Sequence, residues 1–360
     1  MLETIREFAA ERLEASGEAG ELRARHAAWF MDLAERAVPH LRGSPKEWLD
    51  LLETEHDNLR AALDHLETSG DTEAVMRLAG ALWAFWYHRA RSDEAADRLA
   101  RALAADPRPT PARARALRGA SAVALRRGDP AASRRLASEA LELSARLGDE
   151  WDMADARFSL GAAALEEGDH AAALPLLEEA RRGFRTLSDD HSVMLVTRVL
   201  GLHHFERGDL DRARALHQDN LDRARASRNP RMEAASLAAL GTIDAREGGD
   251  VQAALSMLAQ STRLYRQLGM PVEIAVNVAR FARAAAVEGR AETAVRLLSA
   301  SATLHEEAGS SVPRWVERLN EGTLALVRAR IEEAGIAEAW EKGAKLTIDD
   351  AVALALTVVT

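Results

Sequence analysis

Two stretches of the chain, LGAAALEEGDHAAALPLLEEA (residues 160–180) and LGLHHFERGDLDRARALHQDN (residues 200–220), decide the fold. Each has Leu-Gly, then Gly-Asp seven residues after that first Gly, then Ala five residues after the second: Gly161, Gly168 and Ala173, matched by Gly201, Gly208 and Ala213. The second glycine belongs to a longer series. Gly128, Gly168, Gly208, Gly249 and Gly289 lie at intervals of 40, 40, 41 and 40. Asp129, Asp169, Asp209 and Asp250 follow the first four, Arg290 the fifth. Eight residues after each glycine stands a large apolar residue: Leu136, Leu176, Leu216, Met257 and Leu297. Self-similarity at a fixed period of about 20–50 residues marks a solenoid whose units stack on their neighbours.

Two further series run in the same register. In the first helix of each unit, Ser121, Gly161, Gly201, Gly241 and Ala282 keep one position small. In the second helix, Ser133, Ala173, Ala213, Ala254 and Ala294 do the same on the facing side, so two backbones can approach closely. Gly148, Ser188, Arg228, Gly269 and Gly309 mark the ends of the second helices, where a left-handed residue is common and glycine costs least. Arg228 is the exception, but Asn229-Pro230 follows and would stop the helix. The one-residue slip in the period is placed at Gly248-Gly249.

Composition agrees with an all-α chain. Apolar residues are 47% of the 360 and aromatics only 4%, so alanine and leucine, both strong helix formers, must fill the core. Alternating strand-like runs rich in Val, Ile and Thr are hard to find. The net charge of −10 gives nucleic-acid binding no support at whole-chain level. With no cysteine, disulfides, thiolate catalysis and cysteine metal sites are excluded. Glu3, Arg6 and Glu7 interrupt any signal-peptide pattern, and the most apolar stretch, Leu78 to Tyr87, is far too short to cross a bilayer. The cytoplasm is the expected location.

Around the array, residues 1–70 read as a helical lead, 71–309 as the repeats and 310–360 as capping helices. The lead holds helices over 2–17, over 21–38 and, after a break at Pro39 and Gly43-Ser44-Pro45, one or two over 45–69. Residues 71–105 form a degenerate first hairpin. A long helix over 312–334 ends at Gly335, a short one lies near Ile336–Lys342, and Thr347 caps a last helix from Ala351 to Val358. The expected fold is a right-handed α-solenoid of about six helical hairpins.

The small-residue positions resemble the tetratricopeptide pattern, as Leu160-Gly161, Gly168, Ala173, Ala180 and Leu200-Gly201, Gly208, Ala213. The aromatic usual three residues after the first Gly is replaced by Ala164, His204 and Asp244, and the period exceeds the usual one of about 34. The flanks are more specific. Met1 to Leu13 (MLETIREFAAERL), Arg25 to Phe30 (RHAAWF), Leu52 to Leu63 (LETEHDNLRAAL) and Leu346 to Leu356 (LTIDDAVALAL) resemble the sensor region of actinobacterial signal-transduction ATPases that act as transcriptional regulators of MalT-like, LuxR and SARP types. The resemblance implies an ATPase core and winged helix upstream. This sequence has no Gly-Lys pair, hence no P-loop, and no helix-turn-helix after its last helix. The expectation is therefore the sensor part of a larger regulator or a stand-alone descendant.

Such a solenoid lines its concave groove with first helices. Groove positions counted from the small residue of each first helix give Arg118, Ala122 and Leu125, then Phe158, Ala162 and Leu165, then Arg198, Leu202 and Phe205. The last two units give Ala238, Thr242 and Ala245, then Ala279, Arg283 and Ala286. Arg118, Arg198 and Arg283 would meet an acidic peptide or ligand, Phe158, Leu202 and Phe205 would give apolar contact, and Thr242 completes the candidate surface. The alternative is that the arginines are solvated or paired with the many acids and the aromatics pack between repeats. His203-His204 with Glu206 could suggest a metal, but adjacent helical residues point about 100° apart. Trp83, Phe85, Trp86, Tyr87 and His88 form the densest aromatic patch, either core or a pocket at the junction with the lead.

No His-Glu-x-x-His, Gly-x-Ser-x-Gly or dinucleotide fingerprint occurs. The reading is a non-catalytic sensor or scaffold without cofactor or metal, binding a peptide, protein or small effector; the alternative is an adaptor that assembles a complex. The sequence leaves the oligomeric state and the ligand open.

Overall fold

A computed structural model describes residues 3–41, 46–246 and 250–359, and among them the chain is helical with no strand. Four helices lead: α1 (Glu3–Ser16), α2 (Ala19–Ala37), α3 (Lys46–Thr54) and α4 (His56–Ser69). Six hairpins follow. They are α5 (Thr72–His88) with α6 (Ser92–Ala105), α7 (Pro111–Arg126) with α8 (Pro130–Leu147), and α9 (Glu150–Glu167) with α10 (His170–Thr186). Then come α11 (Asp190–Glu206) with α12 (Leu210–Ala226), α13 (Pro230–Arg246) with α14 (Val251–Leu268), and α15 (Pro271–Val287) with α16 (Ala291–Glu307). The last three are α17 (Arg314–Arg328), α18 (Glu333–Gly343) and α19 (Ile348–Leu356). The chain is an α-solenoid of hairpins, as the spacing requires.

The aspartate after each turn glycine is a helix N-cap. The backbone N–H groups of Ala132 and Ala172 donate to Asp129 Oδ1 and Asp169 Oδ1 at 2.8 and 3.0 Å, and Asp209 caps α12 in the same way. Asp149, Asp189 and Asn229 cap the first helices α9, α11 and α13. Each cap contributes about 1 kcal/mol. Arg290, where the aspartate series breaks, supplies no cap. The turn glycines Gly128, Gly168, Gly208 and Gly289 hold φ of 81°, 80°, 79° and 84°. Gly248 and Gly249, where the slip was placed, lie outside the described residues, as do Gly43, Ser44 and Pro45.

The seams between paired helices explain the small-residue series. A Cβ on Gly161 would stand 2.8 Å from Leu177 Cγ, and one on Gly241 would stand 2.8 Å from the Ala254 carbonyl oxygen. In the second hairpin Ser121 Oγ and Ser133 Oγ lie 3.0 Å apart instead, a polar version of the same close approach. Ser133, Ala173, Ala213, Ala254 and Ala294 are fully buried.

Two features depart from expectation. The helix foreseen over 312–334 ends at Arg328, and Gly335 sits inside α18 instead of ending α17. Tertiary packing sets that break: Arg330 reaches the Ala286 carbonyl, and α18 must turn back onto α16, where Gly343 lies so close to Arg296 that a Cβ would stand 2.3 Å from its carbonyl oxygen. The array also curls until its late hairpins meet its early ones. Arg126 at the end of α7 donates from Nη2 to Glu273 Oε1 on α15 at 3.2 Å, across 147 residues. Arg89 Nη1 reaches the Gly269 carbonyl at 3.4 Å.

The segment after α16 runs across this closure. Ser311 N–H donates to the Arg126 carbonyl at 2.9 Å, Arg314 Nη1 to the Glu167 carbonyl at 2.9 Å, and Arg318 pairs with Glu206. Residues 311–318 therefore bridge the C-terminal ends of α7, α9 and α11. Cations at those ends meet the free carbonyls and the negative pole of each helix.

Candidate ligand cavity

Curling forms a half-open cavity of about 810 Å³, walled mainly by the first helices of the hairpins and flanked on one side by residues 311–317. Six of the seven residues picked from the sequence line it: Arg118, Phe158, Arg198, Leu202, Phe205 and Thr242. Arg283 does not. Its Nη1 donates to the Gly322 carbonyl at 3.0 Å, because α17 packs on the face of α15 where groove was expected. The lining consequently shifts toward the start of the late helices: Ala235 and Ala239 replace Ala238 and Ala245, and Glu273, Val276 and Arg280 replace Ala279, Arg283 and Ala286.

The aromatic patch divides. Phe85 and Trp86 are core, 0% and 1% exposed, while Trp83, Tyr87 and His88 line the cavity. Arg118 is committed to protein contacts: it donates to Asp152 Oδ1 at 2.7 Å and sits 4.8 Å from the Trp151 ring centroid. Thr242 Oγ1 donates to the Ala238 carbonyl at 2.7 Å, a bond within its own helix. His203 and His204 part ways, the first facing His170 and the second 3.1 Å from Asp209. Among the described residues no group of three His, Cys, Asp or Glu could hold a metal ion.

The charge of the cavity lies mainly in residues that the sequence did not single out. Arg126, Arg231 and Arg280 join Arg198 on the wall, with Glu273 and the hydroxyls of Tyr87 and Tyr265 near them. Arg126 stacks over Tyr87, 3.6 Å from the ring centroid, and Arg280 over Trp315 at 4.9 Å. Burial pushes the Glu273 carboxyl up, but Arg126 and Arg231 outweigh it, so it stays below its ordinary range. Burial lifts the Tyr265 hydroxyl to about 12. Burial, helped by Arg198 and Arg280, draws His217 down to about 3, so it is neutral at pH 7. On the opposite side burial raises Glu166, against the backbone N–H of Arg314 that donates to it at 3.0 Å. No periodic signal could have found Arg231, Glu273 or Arg280, since each depends on how far the array curls.

The tetratricopeptide-repeat family matches residues 112–186 and 192–267, the second through fifth hairpins. The chain thus contains tetratricopeptide repeats. Proteins of Mycobacterium bovis and Mycobacterium tuberculosis, whose names assign them as HTH-type transcriptional regulators, are 35% identical over 94 residues, 26% of this chain. The chain spans about a tenth of their length, the matched share being 10%. Among solved structures, NprR in complex with its cognate peptide NprX is 12% identical with a TM-score of 0.54, covering 88% of this chain and 89% of that one. A Rap protein complexed with competence and sporulation factor is also 12% identical at 0.54, covering 87% and 100%. At such identity the likeness is one of fold. Among the described residues no helix is long and apolar enough to cross a membrane.

Proposed function

We propose that this chain is the sensing module of a regulator, holding a short peptide or small effector in its central cavity without bond chemistry of its own. The observation that carries this reading is the cavity itself. Its walls come from the first helices at positions where the repeats differ, such as Arg118, Phe158 and Arg198, while the positions the repeats share are spent on seams and caps. NprR holds its cognate peptide NprX and the Rap protein holds competence and sporulation factor, and the mycobacterial relatives are named as transcriptional regulators; both support the reading. Occupancy would be read by residues 311–318, which flank the cavity and bridge three hairpins. An ATPase core and a DNA-binding domain would be separate parts of such a regulator.

The test is a thermal-shift screen of short peptides and metabolites on the wild-type chain and on Ala239→Trp, which fills the cavity from α13. A true ligand raises the wild-type Tm by several degrees and leaves the filled variant unmoved. Equal stabilisation of both would place binding elsewhere and end the cavity reading.

A further inference from the structure

Three guanidinium groups in the cavity make no direct ion pair among the described residues. Arg198 comes from α11, Arg231 from α13 and Arg280 from α15, and all three line the same space. Arg198 acts electrostatically on both others as well as on His217 and Tyr265, which places the group together. Glu273, whose charge acts on Arg231, is hydrogen-bonded by Arg126. Among the described residues no carboxylate forms an ion pair with Arg198, Arg231 or Arg280. Arg280 is anchored through Nη1 to the neutral amide oxygen of Asn277 at 2.7 Å, and its Nε is buried without a partner. Arg126, whose side chain is 7% exposed, has Nε and Nη1 unpartnered as well. His88 and His217, 6% and 3% exposed, each keep Nδ1 unpartnered, and both line the cavity.

Buried cations normally carry a partner, and buried donors a hydrogen bond. Six arginines line the cavity against four acids, Asp155, Glu166, Glu273 and Glu317, in a protein whose net charge is −10. Clustering against that overall charge is local and points inward. Guanidinium forks match the paired oxygens of carboxylates and phosphates. The wall near Arg198 is of another kind: Phe158, Leu202, Phe205 and Ile243 give an apolar surface.

We propose that the cavity takes an oxyanion ligand, a carboxylate or phosphoryl group on an apolar body, with Arg198, Arg231 and Arg280 gripping the anionic end and Phe158, Leu202 and Phe205 facing the apolar end. This rests on the cavity being a sensing site and adds the chemistry of what is sensed. Its size admits a metabolite or a few residues of peptide and excludes a nucleic-acid duplex. Burial draws Arg280 down to about 10, with Arg198 adding to the shift, and burial lowers Arg231 too; an anion between them relieves both.

The experiment measures Tm in chloride, inorganic phosphate and glutarate at matched ionic strength and pH. The wild-type chain is compared with the double variant Arg198→Gln, Arg231→Met. The expected result is a rise of several degrees in at least one of the two oxyanions over chloride, lost in the double variant. Removing two like charges should also leave that variant's Tm in chloride at or above the wild-type value. A rise in phosphate alone points to a phosphoryl end, and in glutarate alone to a carboxylate. Identical Tm in all three salts, or a rise that survives the double variant, overturns the proposal. Should the double variant not fold, Ala239→Trp with every arginine in place gives the same reading: loss of the rise supports, persistence overturns. A neutral or cationic compound that stabilises wild type but not Ala239→Trp, with no oxyanion effect, overturns the anion assignment and leaves the sensing site standing.

Discussion

The seams between paired helices and the wall of the cavity are made by the same first helices, yet they follow opposite rules. Along the seams one side of each contact is small and buried: Ser121 bonds to Ser133, Gly161 and Gly241 let backbones close to contact, and Gly201 makes room for His217. Along the wall large, charged and aromatic residues stand among small ones, and polar atoms of Arg126 and Arg280 are left unpartnered. A solenoid needs each seam to be alike, because every hairpin must stack on the next. It places no such demand on the wall. Specificity therefore collects where repetition stops.

The sharpest way to break that contrast lies within one helix. Phe85 belongs to the core and Tyr87, two residues on, to the wall. Phe85→Ala should cost about 3–5 kcal/mol of stability, in the range for a fully buried aromatic. Tyr87→Ala removes a stacking partner of Arg126 and should cost clearly less. Chemical denaturation of the two variants decides it; equal losses would mean that the wall is core as well. The seam gives the next effect. In Gly241→Ala the new Cβ meets the Ala254 carbonyl oxygen, backbone that cannot swing aside. Overpacking of this kind costs about 1–3 kcal/mol, against a helix-propensity gain of about 1 kcal/mol. A net fall in Tm is expected, and a rise would show the seam to be loose.

His217, which packs in the seam against Gly201 and also lines the cavity, should answer to pH. His217 has a folded pKa near 3, below the ordinary value of 6.5. The unfolded chain therefore takes up its proton first as pH falls. The stability contributed by keeping this imidazole neutral is fully present above about 6.5 and is lost as pH drops toward the folded value. Between pH 7.5 and 5 that loss is up to about 2 kcal/mol. His217→Gln should flatten the stability profile in that window. An unchanged slope would assign the loss to other groups, His203 and His305 being next, each held near 4 by burial.

How much of this was legible follows from the range of the signals. Gly161, Ala173 and their repeats fix hairpins because helical spacing and the turn are local. Arg118, Phe158 and Arg198 fall on the wall because the early hairpins share one offset. The rule fails at Arg283, where α17 covers the expected groove, and it misses Arg231, Glu273 and Arg280, which enter only because the array curls. The Arg126–Glu273 contact spans 147 residues, and nothing in either neighbourhood announces it. The division of the aromatic patch was half visible: Trp83 and Tyr87 stand four apart on one helix face, Phe85 and Trp86 on others.

The smallest effect tests the register where the sequence looked weakest. Ser188 and Arg228 stand in the helix-end series otherwise filled by Gly148, Gly269 and Gly309, and both adopt left-handed φ, 55° and 52°. Asn229-Pro230 after Arg228 would stop a helix without that conformation, so the repeat geometry imposes it on a residue that dislikes it. A side chain held there costs roughly 1 kcal/mol relative to glycine, partly offset by the extra freedom glycine gains in the unfolded chain. Ser188→Gly and Arg228→Gly should each raise stability by about 0.5 kcal/mol, read as a small increase in Tm, and the two should add because the sites lie in successive hairpins. A fall in either variant would mean that the side chain makes contacts outweighing its strain. The end position would then be chosen by the residue and not by the forty-residue register.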